Sequence, residues 1–362
     1  MKKTLIVLMA VVSLAAIAQE KKKVVVGGGG GAVDKTQYPD FSIAAGASDA
    51  DVATAVDRYV SDRAAVGHFS GAVLVARGDK PLLTKGWGYR DVAKKLPNTD
   101  ETQFNIGSIN KIFTGVAIEQ LERAGKLSLD DSIAKHLPGT TIPSADKITI
   151  QQLLKHRSGI GDIFGPNFRE NADSYRDTAS YLAAIAAQPL RFEPGTDQRY
   201  SNGGYIVLGA IVEKLSGLTY YDYIDRNVYA KARMTSSGSF FKTEKSANRA
   251  IGYTRRGPDG PLPERTENFA TLPARGSSAG GGYSTLRDLF SFTKALRSGT
   301  LTPAGQGAFK GGAGFAGGAP GINAMVEMTP EYTVIVLSNY DSPAATAVAG
   351  AITGALEPKA GE

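Results

Sequence analysis

The sequence predicts an α+β fold: an antiparallel sheet assembled from both ends of the chain and flanked by helices, with a mainly helical subdomain inserted over roughly residues 136–265. Three observations carry this prediction. One hairpin pattern lies near the start, a second lies near the end, and the sequence between them has mostly helical periodicity. The 362 residues are 42% apolar and 21% charged, so the chain can bury a sizeable core and is not disordered as a whole.

Residues 1–18 read as an export signal. Lys2 and Lys3 form a basic start, Leu5 to Ile17 is apolar but too short to span a bilayer, and Ala16-Ile17-Ala18 offers small residues for cleavage before Gln19. This predicts a periplasmic or secreted protein of a bacterial envelope with no stable membrane span after cleavage. Residues 19–47 read as a flexible linker containing the glycine run Gly27 to Gly31. No lysine-serine or lysine-threonine pair closes that run as a phosphate loop would. The folded domain is expected over residues 48–358.

Asp49 to Ala65 has helical spacing, with Val52, Val56, Tyr59 and Val60 on one face. Ala72 to Arg77, the turn Gly78-Asp79 and Pro81 to Tyr89 form the first hairpin. A helix is expected from about Ser108 to Ala124, stopped by Gly125. Another should start at Thr149, with Gln152 completing a capping box, and stop at Gly159. A third should run from near Asn202 to Gly217. Ile322 to Met328 and Tyr332 to Ser338 form the second hairpin around Thr329-Pro330-Glu331; the run before Leu337 is β-branched, as suits a buried central strand. An alanine-rich helix, roughly Ala344 to Leu356, closes the fold.

Composition removes several kinds of chemistry. There is no cysteine, hence no thiol nucleophile, zinc ribbon or iron–sulfur ligation. The three histidines, His68, His136 and His156, form no H-E-x-x-H pair, and neither metal nor organic cofactor is expected. The formal charge is +6 with the bases scattered; Lys21-Lys22-Lys23 is the one basic run, so no nucleic-acid partner is expected.

The chemistry concentrates in Phe104-Asn-Ile-Gly-Ser108-Ile-Asn-Lys111-Ile-Phe-Thr114. Ser108 and Lys111 are three apart at the start of an amphipathic helix, which puts hydroxyl and amine on one face. A serine hydroxyl needs a base within reach, and a lysine buried at the positive end of a helix can lose its charge and serve. The same helix end offers free backbone N–H groups to an oxyanion. Alone, S-x-x-K is common, and a solvated helical lysine is its better reading. The second element is Tyr200-Ser201-Asn202, preceded by Glu193-Pro194-Gly195. Such a tyrosine can relay protons if a nearby cation holds its pKa down, and the asparagine amide can grip a carbonyl. A packed tyrosine and an asparagine N-cap are the plainer readings.

Together these motifs resemble the serine β-lactamase and penicillin-binding protein superfamily, most nearly class C β-lactamases, D-alanyl-D-alanine carboxypeptidases of that branch and family VIII esterases. The resemblance covers roughly Ser48 to Leu356. Its other carriers are His156-x-Ser158-Gly159-Ile160, Gly280-Gly-Gly-x-Ser-Thr285-x-x-Asp288, and Gly318-x-Pro320-Gly321 followed by Leu337-Ser-Asn339. It implies that Ser108 is acylated, that Lys111 is its base or base partner, that Tyr200 shuttles the proton, and that Asn202 binds substrate. The implied oxyanion hole is the Ser108 backbone N–H with one near Gly318.

One motif departs from the family. The Lys-Thr-Gly or His-x-Gly of the edge strand falls at Phe315-Ala316-Gly317, where the glycine survives and the cation does not. Phe315 and Gly317 are then expected at the substrate. Loss of the cation that holds a substrate carboxylate favours an ester, in a small molecule or a peptidoglycan-derived one, over penicillin or D-Ala-D-Ala. A carboxypeptidase or β-lactamase recruiting Lys310 or Arg275 is the alternative, and a non-catalytic cell-wall or protein-binding module on the same fold is another. Gly276-Ser-Ser278-Ala-Gly280 matches a nucleophile elbow, but no histidine follows it, so it reads as a glycine-rich loop. His156 reads as a loop-fixing residue rather than a catalytic one.

Overall fold

The computed structural model describes residues 36–39, 41–164, 168, 170–258, 260–303 and 312–357; the expected export signal, the glycine run and Lys310 lie outside them. Its centre is a five-stranded sheet: β1 Gly71–Arg77, β2 Lys80–Trp87, β3 Ala313–Ala319, β4 Ile322–Met328 and β5 Tyr332–Ser338. The order is β2-β1-β5-β4-β3 and every neighbouring pair is antiparallel. The two chain ends meet in the middle, with Gly71 opposite Ser338 and Arg77 opposite Tyr332. The glycine-rich strand β3 lies at an edge.

Both faces of the sheet are covered, which explains the unbroken apolar runs of β1 and β5. Ala72, Leu74, Ile335 and Leu337 join the main core with the helical region. Val73, Val75, Val334 and Val336 point the other way, into a second core with helices α1 (Asp49–Ala65) and α7 (Ala344–Leu356). Helix α1 begins with a capping box between Ser48 and Asp51 and buries Val52, Val56, Tyr59 and Val60, the predicted stripe. The second core also takes in part of the segment expected to be linker. Tyr38 is buried and donates its hydroxyl proton to His68 O at 2.9 Å, and Phe41 stacks on Tyr59 at 4.6 Å. Aromatic burial here places the start of the packed chain before Ser48.

The remaining helices used below are α2 (Asn110–Arg123), α3 (Ile150–Leu154), α4 (Thr178–Ala186), α5 (Asn202–Ser216) and α6 (Leu286–Arg297). Two expectations need correction. Helix α3 has the predicted Thr149–Gln152 capping box but ends at Leu154, not Gly159, because His156 takes a left-handed φ of 56° that a helix cannot continue. The inserted region is also not helical to its end: Tyr253–Gly257 and Gly260–Glu267 form a separate hairpin. Its strands are charged and largely exposed, so they show no period-two apolar signal. Among the described residues, no helix is long and apolar enough to cross a membrane.

Candidate active site

Ser108 lies in a 3-10 turn, Gly107–Ile109, that runs directly into α2. Gly107 has φ 51°, and a Cβ built on it would stand 2.8 Å from the Gly318 nitrogen. A Cβ on Gly317 would meet Ile106 O at 2.0 Å. The turn therefore presses main chain to main chain against β3, which only glycine permits. Ser108 and Gly318 both line the resulting cleft, of about 720 Å³.

One helical turn on, Lys111 is 6% exposed. Its Nζ is 3.2 Å from Ser108 Oγ, 2.7 Å from Asn202 Oδ1, and within hydrogen-bond distance of Ala279 O. Ser108 Oγ is also 2.7 Å from the Tyr200 hydroxyl, and that hydroxyl donates to Asn202 Oδ1 at 3.2 Å. The four residues singled out in the sequence, from the turn before α2, α2 itself, the approach to α5 and α5, thus form one hydrogen-bonded cluster.

Helix α5 sets the second half of that cluster. Its N-cap is Ser201, not Asn202: the Ser201 hydroxyl accepts from Gly204 N at 2.9 Å and donates to Gly161 O at 3.0 Å. Asn202 is thereby the first helical residue. Its Nδ2 donates to Asp162 Oδ2 at 2.7 Å. A carboxylate only accepts, so Asp162 fixes the amide orientation and aims Oδ1 at Lys111 and Tyr200. Asn202 lines the cleft, but both ends of its amide are engaged within the protein. His156 accepts from Ser201 N through Nδ1 at 3.2 Å, and its ring lies 4.7 Å from Tyr200 and 5.2 Å from Tyr205. Burial, with the Lys111 charge beside it, lowers its pKa to about 3, so the ring is neutral and holds the Tyr200 segment in place.

Burial also sets the proton inventory. Desolvation lowers the Lys111 pKa to about 7, against an opposing pull from the Asp162 charge. Uncharged Lys111 has two N–H bonds and one lone pair. With Asn202 Oδ1 and Ala279 O taking the N–H groups, the lone pair is left for the Ser108 hydroxyl. For Tyr200 the condition of a dominant cation is not met: desolvation pushes its pKa up, and its hydrogen bond with Ser108 only partly offsets this. Tyr200 stays protonated and acts as a donor.

Two of the expected substrate contacts are elsewhere. The Phe315 side chain is 6% exposed and packs in the main core, because its position on β3 faces the helical region. Neither Phe315 nor Gly317 lines the cleft, and Gly317 serves the close approach to Ile106. Arg275 is likewise outside it: its guanidinium stacks 3.5 Å over Tyr221 and its Nε donates to Ser239 O at 2.7 Å.

Sequence reasoning missed several contributors. Asp162 follows directly on the quoted His156 to Ile160 motif and could have been found by extending it. Ala279 contributes only a carbonyl, which no side-chain motif announces. The loop Gly276 to Gly280 was read as a bare loop, yet Asn110 Nδ2 donates to Ser277 O at 3.3 Å and Thr114 Oγ1 to Ser278 O at 2.7 Å, holding it against α2 beside Lys111. Arg256, from the unpredicted hairpin, is the one cation lining the cleft among the described residues. An aromatic row, Phe164–Phe168–Tyr175–Tyr181, with successive ring centroids 4.7, 5.4 and 5.1 Å apart, backs the same cleft.

The chain belongs to the beta-lactamase family, a family of serine hydrolases, whose sequence model matches residues 56–356. It is 33% identical over 207 residues to "Protein flp" of Staphylococcus aureus, covering 56% of this chain and 41% of that protein, so the match spans less than half the relative's length. Among solved structures it is similar to a penicillin binding protein from Bacillus halodurans, at 30% identity and TM-score 0.71, over 79% of this chain and 96% of the other. A class C beta-lactamase shares the fold at 20% identity and TM-score 0.67, over 87% and 99% of the two chains.

Proposed function

We propose that the chain is an exported hydrolase that cleaves a carboxylic ester through an acyl-enzyme on Ser108. The observation that carries this reading is the Ser108–Lys111–Tyr200–Asn202 cluster standing beside a β3 strand that offers no cation. The cluster supplies nucleophile and base. An ester, unlike a penicillin or a D-alanyl peptide, brings no carboxylate that β3 would have to hold.

In the proposed reaction, uncharged Lys111 takes the Ser108 proton as Oγ bonds to the ester carbon. The tetrahedral oxyanion is held by the backbone N–H groups of Ser108 and Gly318. Tyr200 passes a proton to the departing alkoxide and is reprotonated from Lys111, so the alcohol leaves neutral. Water then attacks the acyl-enzyme and gives a proton back through the same groups. The acid leaves, and Ser108 recovers its hydrogen. Asp162 and His156 act as positioning residues, through Asn202 and the Tyr200 segment.

A second reading, a D-alanyl carboxypeptidase or β-lactamase, is favoured by one observation: Arg256 lies in the cleft and is exposed, 3.8 Å from Asp341. Intact-mass measurement after exposure to a fluorophosphonate and, separately, to benzylpenicillin decides between the two, with Ser108→Ala as control. A phosphonate adduct that disappears in Ser108→Ala, with no penicillin adduct, is the expected result. A penicillin adduct would move the assignment to the second reading. No adduct on folded protein would overturn both.

A further inference from the structure

A second pocket, of about 640 Å³, opens beside the cleft. Arg256 and Ser342 line both, so the two spaces adjoin. Among the described residues, three arginines, Arg255, Arg256 and Arg265, and one carboxylate, Asp341, line this pocket. That carboxylate is already engaged. Its Oδ1 accepts from Thr254 Oγ1 and Gly321 N, each at 2.8 Å, and its Oδ2 from the Arg255 backbone N at 2.7 Å. It ties the hairpin to the sheet and, 3.8 Å from Arg256 Nε, offsets one of the three positive charges. Arg265 is half-buried with its guanidinium 3.9 Å over the Tyr340 ring. Among the described residues, no carboxylate forms an ion pair with the side chain of Arg255 or Arg265.

Gathering three cations at a partly desolvated wall costs energy that an anion would recover. Burial and the neighbouring Arg255 charge already hold the Arg265 guanidinium below its usual range. Arginine forks match the geometry of carboxylate and phosphate oxygens, and stacking on Tyr340 pre-orients one of them. The place is also telling. The cation absent from β3 has counterparts in the pocket that adjoins the cleft of Ser108.

We propose that this arginine pocket holds a carboxylate or phosphate group carried by the substrate at a distance from its scissile ester. The word substrate here rests on the hydrolase reading, whereas the anion site stands on the pocket alone.

Calorimetric titration of full-chain Ser108→Ala protein at low salt tests it, with monomethyl glutarate, inorganic phosphate and neutral dimethyl glutarate as probes. At least one anion should bind about tenfold more tightly than dimethyl glutarate, as expected for one or two charge-assisted contacts. Adding Arg265→Ala or the exposed Arg255→Ala should each remove about that factor. Arg255→Ala keeps the test open if loss of the Tyr340 stacking unfolds the other variant. Tighter binding of phosphate assigns a phosphorylated substrate, and tighter binding of monomethyl glutarate a carboxylated one. Equal affinity for the neutral diester, no binding of either anion, or anion binding unchanged in Arg255→Ala would overturn the proposal. Anion binding without phosphonate labelling of Ser108 would instead remove the hydrolase reading and leave the pocket standing. Labelling without anion binding would do the reverse.

Discussion

On one wall of the cleft, α2, α5 and the loop Gly276 to Gly280 bring Ser108, Lys111, Tyr200 and Asn202 into mutual hydrogen-bond reach. On the other, β3 presents the small residues Gly318 and Ala319, turns Phe315 into the core, and offers the substrate no polar side chain. The first wall is dense with side-chain chemistry and fixes the kind of reaction. The second works through its main chain and, by what it lacks, restricts the substrates. A single family motif can therefore be lost from one wall while the machinery of the other stays whole.

The largest expected effect is on the polar wall. Lys111→Met should slow phosphonate labelling by about 10³-fold. The same substitution should stabilise the fold at neutral pH by about 2 kcal/mol, since it removes a buried amine whose protonation is penalised. The sign follows from linkage. The Lys111 pKa is about 7 in the folded chain and near 10.5 when unfolded. Between those values the unfolded state binds more protons, so wild-type stability rises with pH there. The stability gap between variant and wild type should close over that window, and thermal unfolding at stepped pH measures it. A gap independent of pH would mean that Lys111 stays charged.

Gly317→Ala probes the backbone wall. Its Cβ would meet Ile106 O at 2.0 Å, so the turn bearing Ser108 or the edge strand must move. A loss of about 2 kcal/mol in stability and a marked drop in labelling are expected. Tyr200→Phe should leave the fold intact and cost about 10²-fold in ester turnover. The smallest effect is expected from Asp162→Asn. Removing the charge that favours protonated Lys111 lowers that pKa further, so the rising limb of the pH–rate profile should move to lower pH by a fraction of a unit. A limb that does not move would leave Asp162 with only its orienting role.

The sheet was the most legible part of the chain. The second hairpin and α7 fall on their predicted residues because buried strands and an alanine-rich helix carry strong apolar signals. The hairpin at Tyr253–Gly257 and Gly260–Glu267 was not legible, because its exposed, charged strands lack that signal. At the site, Ser108, Lys111, Tyr200 and Asn202 were readable as side chains at recognisable spacings. Ala279 acts through a carbonyl and Asp162 through one hydrogen bond to an amide, so both become visible only when the loops are folded together. A lowered Tyr200 pKa was conditional on a dominant cation, and burial dominates instead.

The pairing of β1 with β5 also governs when the molecule can exist at all. The contact Gly71 to Ser338 joins segments made at opposite ends of synthesis. The middle of the sheet therefore cannot close while a ribosome still holds the later strand, and β3 cannot back the Ser108 turn before it emerges. Folding of this kind is slow and late, with apolar strands left waiting for partners, and the chain depends on being kept from sticking to others meanwhile. The same delay means that the Ser108 turn gains its backing only after the later strands have been made.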